Sequence, residues 1–124
     1  MFAEKLSGGD GIGIICPSHI AGKVEYARIA AELERLGFRV KFGENIYKDT
    51  DGYLASVQER ADDLNRMVSD DGVKMVLFGG GWGASELLPL IDYENIRRHP
   101  KLFSSYSDGT SILNAIYAKT GLTT

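Results

Sequence analysis

The stretch VKMVLFGGGWGAS, residues 73–85, decides the fold. VKMVLF is a short run rich in apolar and β-branched residues, and it reads as a buried strand. Three glycines, Gly79 to Gly81, end the run, and WGASELLPLID then reads as a short helix interrupted near Pro89. A strand that turns through glycine into a helix is half of a β-α-β unit, and the chain repeats the pattern on both sides. Upstream, GIGIICP (11–17) is a second such strand, closed by proline. GKVEYARIAAELERLG (22–37) sets Tyr26, Ile29, Ala30, Leu33 and Leu36 at helical spacing, with Gly37 at the C-terminal cap. FRVKFG (38–43) alternates apolar and basic residues as a strand does. GYLASVQERADDLNRMVSDDG (52–72) is a long helix with Leu54, Val57, Ala61, Leu64 and Val68 on one face. GENIYKDTDG (43–52) between them reads as a flexible loop. Downstream, YENIRRHP (93–100) adds a helical turn and KLFSSY (101–106) is a fourth strand. DGTSILNAIYAKTG (108–121) is a last helix with Ile112, Ala115, Ile116 and Lys119 in series and Gly121 as its stop. Alternating strands and helices predict an α/β domain: a layered parallel sheet with right-handed crossovers and helices on both faces.

The totals fit one such domain. The chain has 124 residues, 44% of them hydrophobic and 25% charged. A net charge of -3 argues against a nucleic-acid-binding module, which normally shows a basic stripe. No apolar run is long enough to span a bilayer, and MFAEKLSGGDG lacks the apolar centre of a signal peptide, so no membrane partner is expected. Cys16 is the single cysteine; it forbids an internal disulfide, makes a reducing cytoplasm the simplest setting, and reads as a buried small hydrophobe. Two histidines far apart and one cysteine do not make a metal site, and no cofactor is expected.

Ligands of such sheets gather at the carboxyl ends of the strands, where CPSH, GGGWGAS and SYSDGT fall. Ser105-Tyr106-Ser107-Asp108-Gly109 is close to the G-x-S-x-G elbow that exposes a nucleophilic serine between a strand and a helix. The same serine and aspartate serve equally as ordinary helix N-caps. Gly79, Gly81 and Ala84 satisfy G-x-G-x-x-A, so the glycine turn could hold a dinucleotide phosphate, though in the third β-α turn rather than the first. It could also aim the N–H groups of Gly80 and Gly81 at a reacting carbonyl oxygen, or be a tight turn packed by Trp82. PSHIAGK (17–23) fails as a phosphate loop, with Pro17 and Val24 in the wrong places. A serine nucleophile needs a base, and only His19 and His99 are available; the spacing favours neither.

In order, GDGIGIICPS (9–18), LGFRV (36–40), GYLA and ERADDLN (52–65), GGWGASELLPLIDY (80–93), SYSDGT (105–110) and KTGLTT (119–124) resemble the N-terminal half of LD-carboxypeptidases and of the related microcin C immunity peptidases. The resemblance implies a flavodoxin-like N-terminal domain of a cytoplasmic serine peptidase with a Ser-Glu-His triad. Ser107 matches the nucleophile; the N–H groups of Asp108 and of Gly80 or Gly81 match the oxyanion hole. It implies as substrate a murein tetrapeptide ending in D-alanine or a microcin C-like peptidyl nucleotide, and a homodimer. Three positions depart from the pattern: Ser105 stands for the elbow glycine, Gly109 for a β-branched residue, and Gly79 for an arginine. The family's Glu and His belong to a C-terminal domain. Residues 1–124 are therefore expected to be the nucleophile-bearing domain of a longer, truncated protein, with little or no activity alone. The rival expectation is a non-catalytic nucleotide- or phosphate-binding, or assembly, domain.

Overall fold

A computed structural model describes residues 1–19 and 22–124; Ile20 and Ala21, within the PSHIAGK stretch, lie outside the described residues. The elements are β1 (Gly11–Ile15), α1 (Lys23–Arg35), β2 (Arg39–Phe42), α2 (Val57–Ser69), β3 (Val73–Phe78), a 3-10 helix (Ala84–Leu90), α3 (Tyr93–Arg98), β4 (Leu102–Ser104), a 3-10 turn (Ser107–Gly109) and α4 (Thr110–Thr120). All pairings are parallel and the strand order is β2-β1-β3-β4. The chain moves from β1 outward to β2, then crosses back over β1 to reach β3. That reversal opens a crevice between the carboxyl ends of β1 and β3, where α/β sheets place their sites.

The period of two along β1 assigns the faces. Gly13 packs on Met67, and Ile15 enters a core with Leu64, Val76, Ile96, Ile112 and Ile116, so α2, α3 and α4 cover that face. Ile14 points the other way, toward Tyr26 and Ile29 of α1. The second face is less covered than the apolar strands led us to expect. α1 packs on β2 and leaves a groove of about 220 Å³ beside Leu77, Ser104 and Tyr106. Ile29 is 38% exposed and Leu36 is 55% exposed, because one helix cannot span four strands.

Three local expectations need correction. The long helix starts at Val57, not near Gly52, because Ser56 and Glu59 form a reciprocal capping box. The residues after Gly43 are not a loose loop. Asn45 and Ile46 are buried, and Asn45 donates from its backbone and side chain to Asp63 at 3.0 and 2.9 Å. Thr50 and Lys48 bind the Glu59 carboxylate at 2.6 and 3.0 Å. The fourth strand is only three residues long, since the chain leaves the sheet at Ser105. Among the described residues no helix is long and apolar enough to cross a membrane.

Candidate active site

β4 ends in an abrupt turn. Tyr106 is extended, with φ -151° and ψ 174°, and Ser107 then has φ +53°. Ser107 is the only non-glycine residue with positive φ among the described residues. An L-residue held there costs about 1–2 kcal/mol. An ordinary N-cap serine is extended and accepts a bond from the first turn. Ser107 departs from that geometry, and among the described residues neither the 3-10 turn nor α4 has a side-chain cap bond. The Ser107 side chain is exposed at the carboxyl edge of the sheet.

The two departures flanking the serine account for each other. Gly109 is buried, and a Cβ there would overlap the Ser105 hydroxyl and lie 2.8 Å from the Ser105 Cβ and 3.2 Å from the Phe78 ring. Ser105 occupies the space that a larger residue 109 would need. Gly79 is explained in the same way. Its N–H continues the sheet to the Ile15 carbonyl at 2.8 Å, and the place of its side chain is filled by the Tyr26 hydroxyl and by Cys16 Sγ.

The glycine turn presses against the loop after β1. Gly81 has φ +137°, and a Cβ there would lie 2.6 Å from the His19 Cβ and 3.0 Å from the Ser18 carbonyl oxygen. Among the described residues no backbone bond uses the N–H of Gly80 or Gly81. Two charged side chains join the loops. Asp108 Oδ2 accepts from the Ser18 hydroxyl at 2.5 Å and from the Ala84 N–H at 2.9 Å. Arg60, 2% exposed near the start of α2, donates to the carbonyls of Ala55 at 3.0 Å, Pro17 at 2.6 Å and Gly83 at 3.2 Å.

The structure thus gathers Ser107, Asp108, Gly80 and Gly81 at the carboxyl end of the sheet. His19 shares that end, with its ring 5.7 Å from Tyr53 and 6.4 Å from Trp82. His99 precedes β4 at the opposite end, where Nδ1 contacts the Asn95 side-chain oxygen at 2.9 Å. Cys16 is buried, and burial pushes its thiol up to about 11. Among the described residues no three His, Cys, Asp or Glu side chains are grouped to hold a metal. Sequence reasoning missed Ser18 and Arg60 as members of the site. A signal was present: Arg60 shares the helical face of Val57, Ala61 and Leu64, where a cation is out of place unless it has buried partners.

Residues 12–124 match the model of the LD-carboxypeptidase N-terminal domain family. The chain is 42% identical to a putative carboxypeptidase, YocD, of Bacillus subtilis, over 100% of this chain and 39% of that protein. It is 41% identical to a probable murein peptide carboxypeptidase of the same organism, over 98% of this chain and 38% of the relative. Among solved structures, the microcin C7 self-immunity protein MccF, in a mutant form complexed with adenosine monophosphate, superposes with a TM-score of 0.92 at 35% identity, covering 98% of this chain and 38% of that one. The chain therefore spans less than half the length of the proteins it matches.

Proposed function

The chain belongs to the LD-carboxypeptidase N-terminal domain family, and from that premise we propose that residues 1–124 are the nucleophile-bearing domain of a serine carboxypeptidase-type hydrolase. The observation that carries the reading is the positive φ of Ser107 on a strand-to-helix turn. In this mechanism Ser107 Oγ attacks the carbonyl carbon of a carboxy-terminal amide and gives its proton to a general base. The oxyanion accepts hydrogen bonds from the N–H of Asp108 and of Gly80 or Gly81. The base returns the proton to the departing amine, an ester remains on Ser107, and water cleaves it. No base is assigned within these residues; the resemblance implies a Glu and a His from a C-terminal domain. The substrate class is a murein peptide ending in D-alanine or a peptidyl nucleotide, supported by the naming of one relative and by the adenosine monophosphate bound in the MccF structure. The reading includes a homodimer and a reducing cytoplasm, which suits a buried free thiol at Cys16.

The phosphate-turn reading is less well supported. A 3-10 helix follows the glycines, and the Ala84 N–H at its start is already bound to the Asp108 carboxylate. An anion placed there would meet a negative charge.

The test is labelling with an alkyl fluorophosphonate, on the chain alone and on the chain mixed with the C-terminal part of the YocD relative. The expected result is modification of Ser107 in the mixture, little or none in the chain alone, and none with Ser107→Ala. Amide hydrolysis that survives Ser107→Ala would overturn the assignment.

A further inference from the structure

Arg60 and the side chain of Asp108 grip one peptide unit from opposite ends. The carbonyl of the Gly83–Ala84 peptide accepts from Arg60 Nη1 at 3.2 Å, and its N–H donates to Asp108 Oδ2 at 2.9 Å. The peptide dipole thus lies between a guanidinium and a carboxylate. The same two side chains hold the loop after β1, Arg60 through the Pro17 carbonyl at 2.6 Å and Asp108 through the Ser18 hydroxyl at 2.5 Å. Arg60 projects from α2, Asp108 from the elbow, and the gripped peptide closes the glycine turn. Gly83 is left-handed, at φ +96°, so the turn has a backbone that glycine does not stiffen by itself.

We propose that Arg60 and the Asp108 carboxylate are positioning residues. They fix the Gly83–Ala84 peptide, and through it set the N–H groups of Gly80 and Gly81 relative to Ser107. The inference rests on the proposed acyl-transfer role of Ser107, and it gives Asp108 two separate duties: its backbone N–H faces the oxyanion while its carboxylate holds the opposite wall. The burial of Arg60 favours this over simple stabilisation. Among the described residues its Nη2 is buried with no hydrogen-bond partner, and the carboxylate of Glu86 is 3.9 Å away and half exposed. A buried cation with unmet donors holds helices together less well than an apolar side chain of the same volume. What the guanidinium supplies, and an apolar chain cannot, is a rigid fork that reaches three carbonyls at once.

The experiment compares the chain with Arg60→Lys, Asp108→Ala and Asp108→Asn by backbone 15N relaxation. Order parameters at Gly80 and Gly81 are expected near roughly 0.85 in the unmodified chain and below roughly 0.6 in Arg60→Lys and Asp108→Ala. Val76 in β3 should stay unchanged in all of them. Asp108→Asn keeps an oxygen for Ser18 and Ala84, so it should preserve the order that Asp108→Ala loses. With the C-terminal part of the YocD relative added, the maximal fluorophosphonate labelling rate at Ser107 should fall about 10- to 100-fold in the two loosened variants, at unchanged half-saturating probe concentration. Glycine order parameters that do not respond, or a turn already mobile in the unmodified chain, would overturn the proposal. If Arg60→Lys does not fold, the two Asp108 variants decide it. Labelling of the mixture that persists in Ser107→Ala would refute the role of Ser107, while the relaxation data would still report whether the turn is held.

Discussion

Ser107 occupies a conformation that its own Cβ disfavours, so glycine and alanine replacements should separate strain from chemistry. Both remove the hydroxyl. Glycine also removes the left-handed penalty of about 1–2 kcal/mol, less roughly 0.5–1 kcal/mol for its greater unfolded-state freedom. Ser107→Gly should therefore be more stable than Ser107→Ala by about 1 kcal/mol in urea unfolding; equal stabilities would mean the turn relaxes. The neighbouring pair offers a second measurement. Gly109→Ala alone drives a Cβ into the Ser105 hydroxyl and should cost about 1–3 kcal/mol. Paired with Ser105→Gly, most of that loss should return, giving a coupling of about 1–2 kcal/mol in a double-mutant cycle. At this scale the sequence was informative wherever residue type restricts geometry. SYSDG resembles an elbow because its flanking residues are small. The sign of φ at Ser107 was not legible, since serine carries no preference for the left-handed region as glycine does. Nor was the reason for the departures at 105 and 109, which are distant in type but share one space.

At the scale of elements, the later part of the loop before α2, from Lys48 to Ser56, is anchored by one carboxylate. Glu59 accepts from Thr50, pairs with Lys48 and closes the capping box on Ser56. These bonds, that of Thr50 foremost, hold its pKa down to about 2. Its value in the unfolded chain is about 4.3. A depressed folded pKa stabilises the fold above the unfolded value, and the contribution is lost as pH falls from about 4 toward 2. The melting temperature of the native sequence should exceed that of Glu59→Gln at pH 7, and the gap should close across that window. A gap independent of pH would show that the carboxylate charge is not what anchors the segment. Asp63 beside it titrates in the opposite sense, because burial raises its pKa, but it is present in both proteins and cancels in the comparison. A signal for the helix start was present in S-x-x-E at Ser56 and Glu59. Its pull on the preceding segment was hidden because GENIYKDTDG has the composition of a solvent-exposed loop, and only the buried partners of Asn45 fix it.

For the whole molecule, alternation of strand and helix was sufficient to predict the parallel sheet, because strands joined through helices have few other ways to pair. The uneven cover of its two faces was not legible. The apolar face of α1 looks complete in the sequence, yet Ile29 and Leu36 remain exposed because the helix packs on β2 at one edge of the sheet. The strand order has a kinetic consequence. Gly11 pairs with Arg39, Ile14 with Leu77 and Met75 with Leu102, so no adjacent strands can zip together as a hairpin. Each pairing has to close a long stretch of chain before any contact rewards it, which slows folding. During synthesis β1 emerges first and waits for β3 before its second edge is satisfied, and β4 docks only after β3 is seated. The turn at Ser107 is bonded onward into α4, and its Asp108 carboxylate reaches Ser18 and Ala84, so its contacts are complete only once the loops after β1 and β3 are both in place.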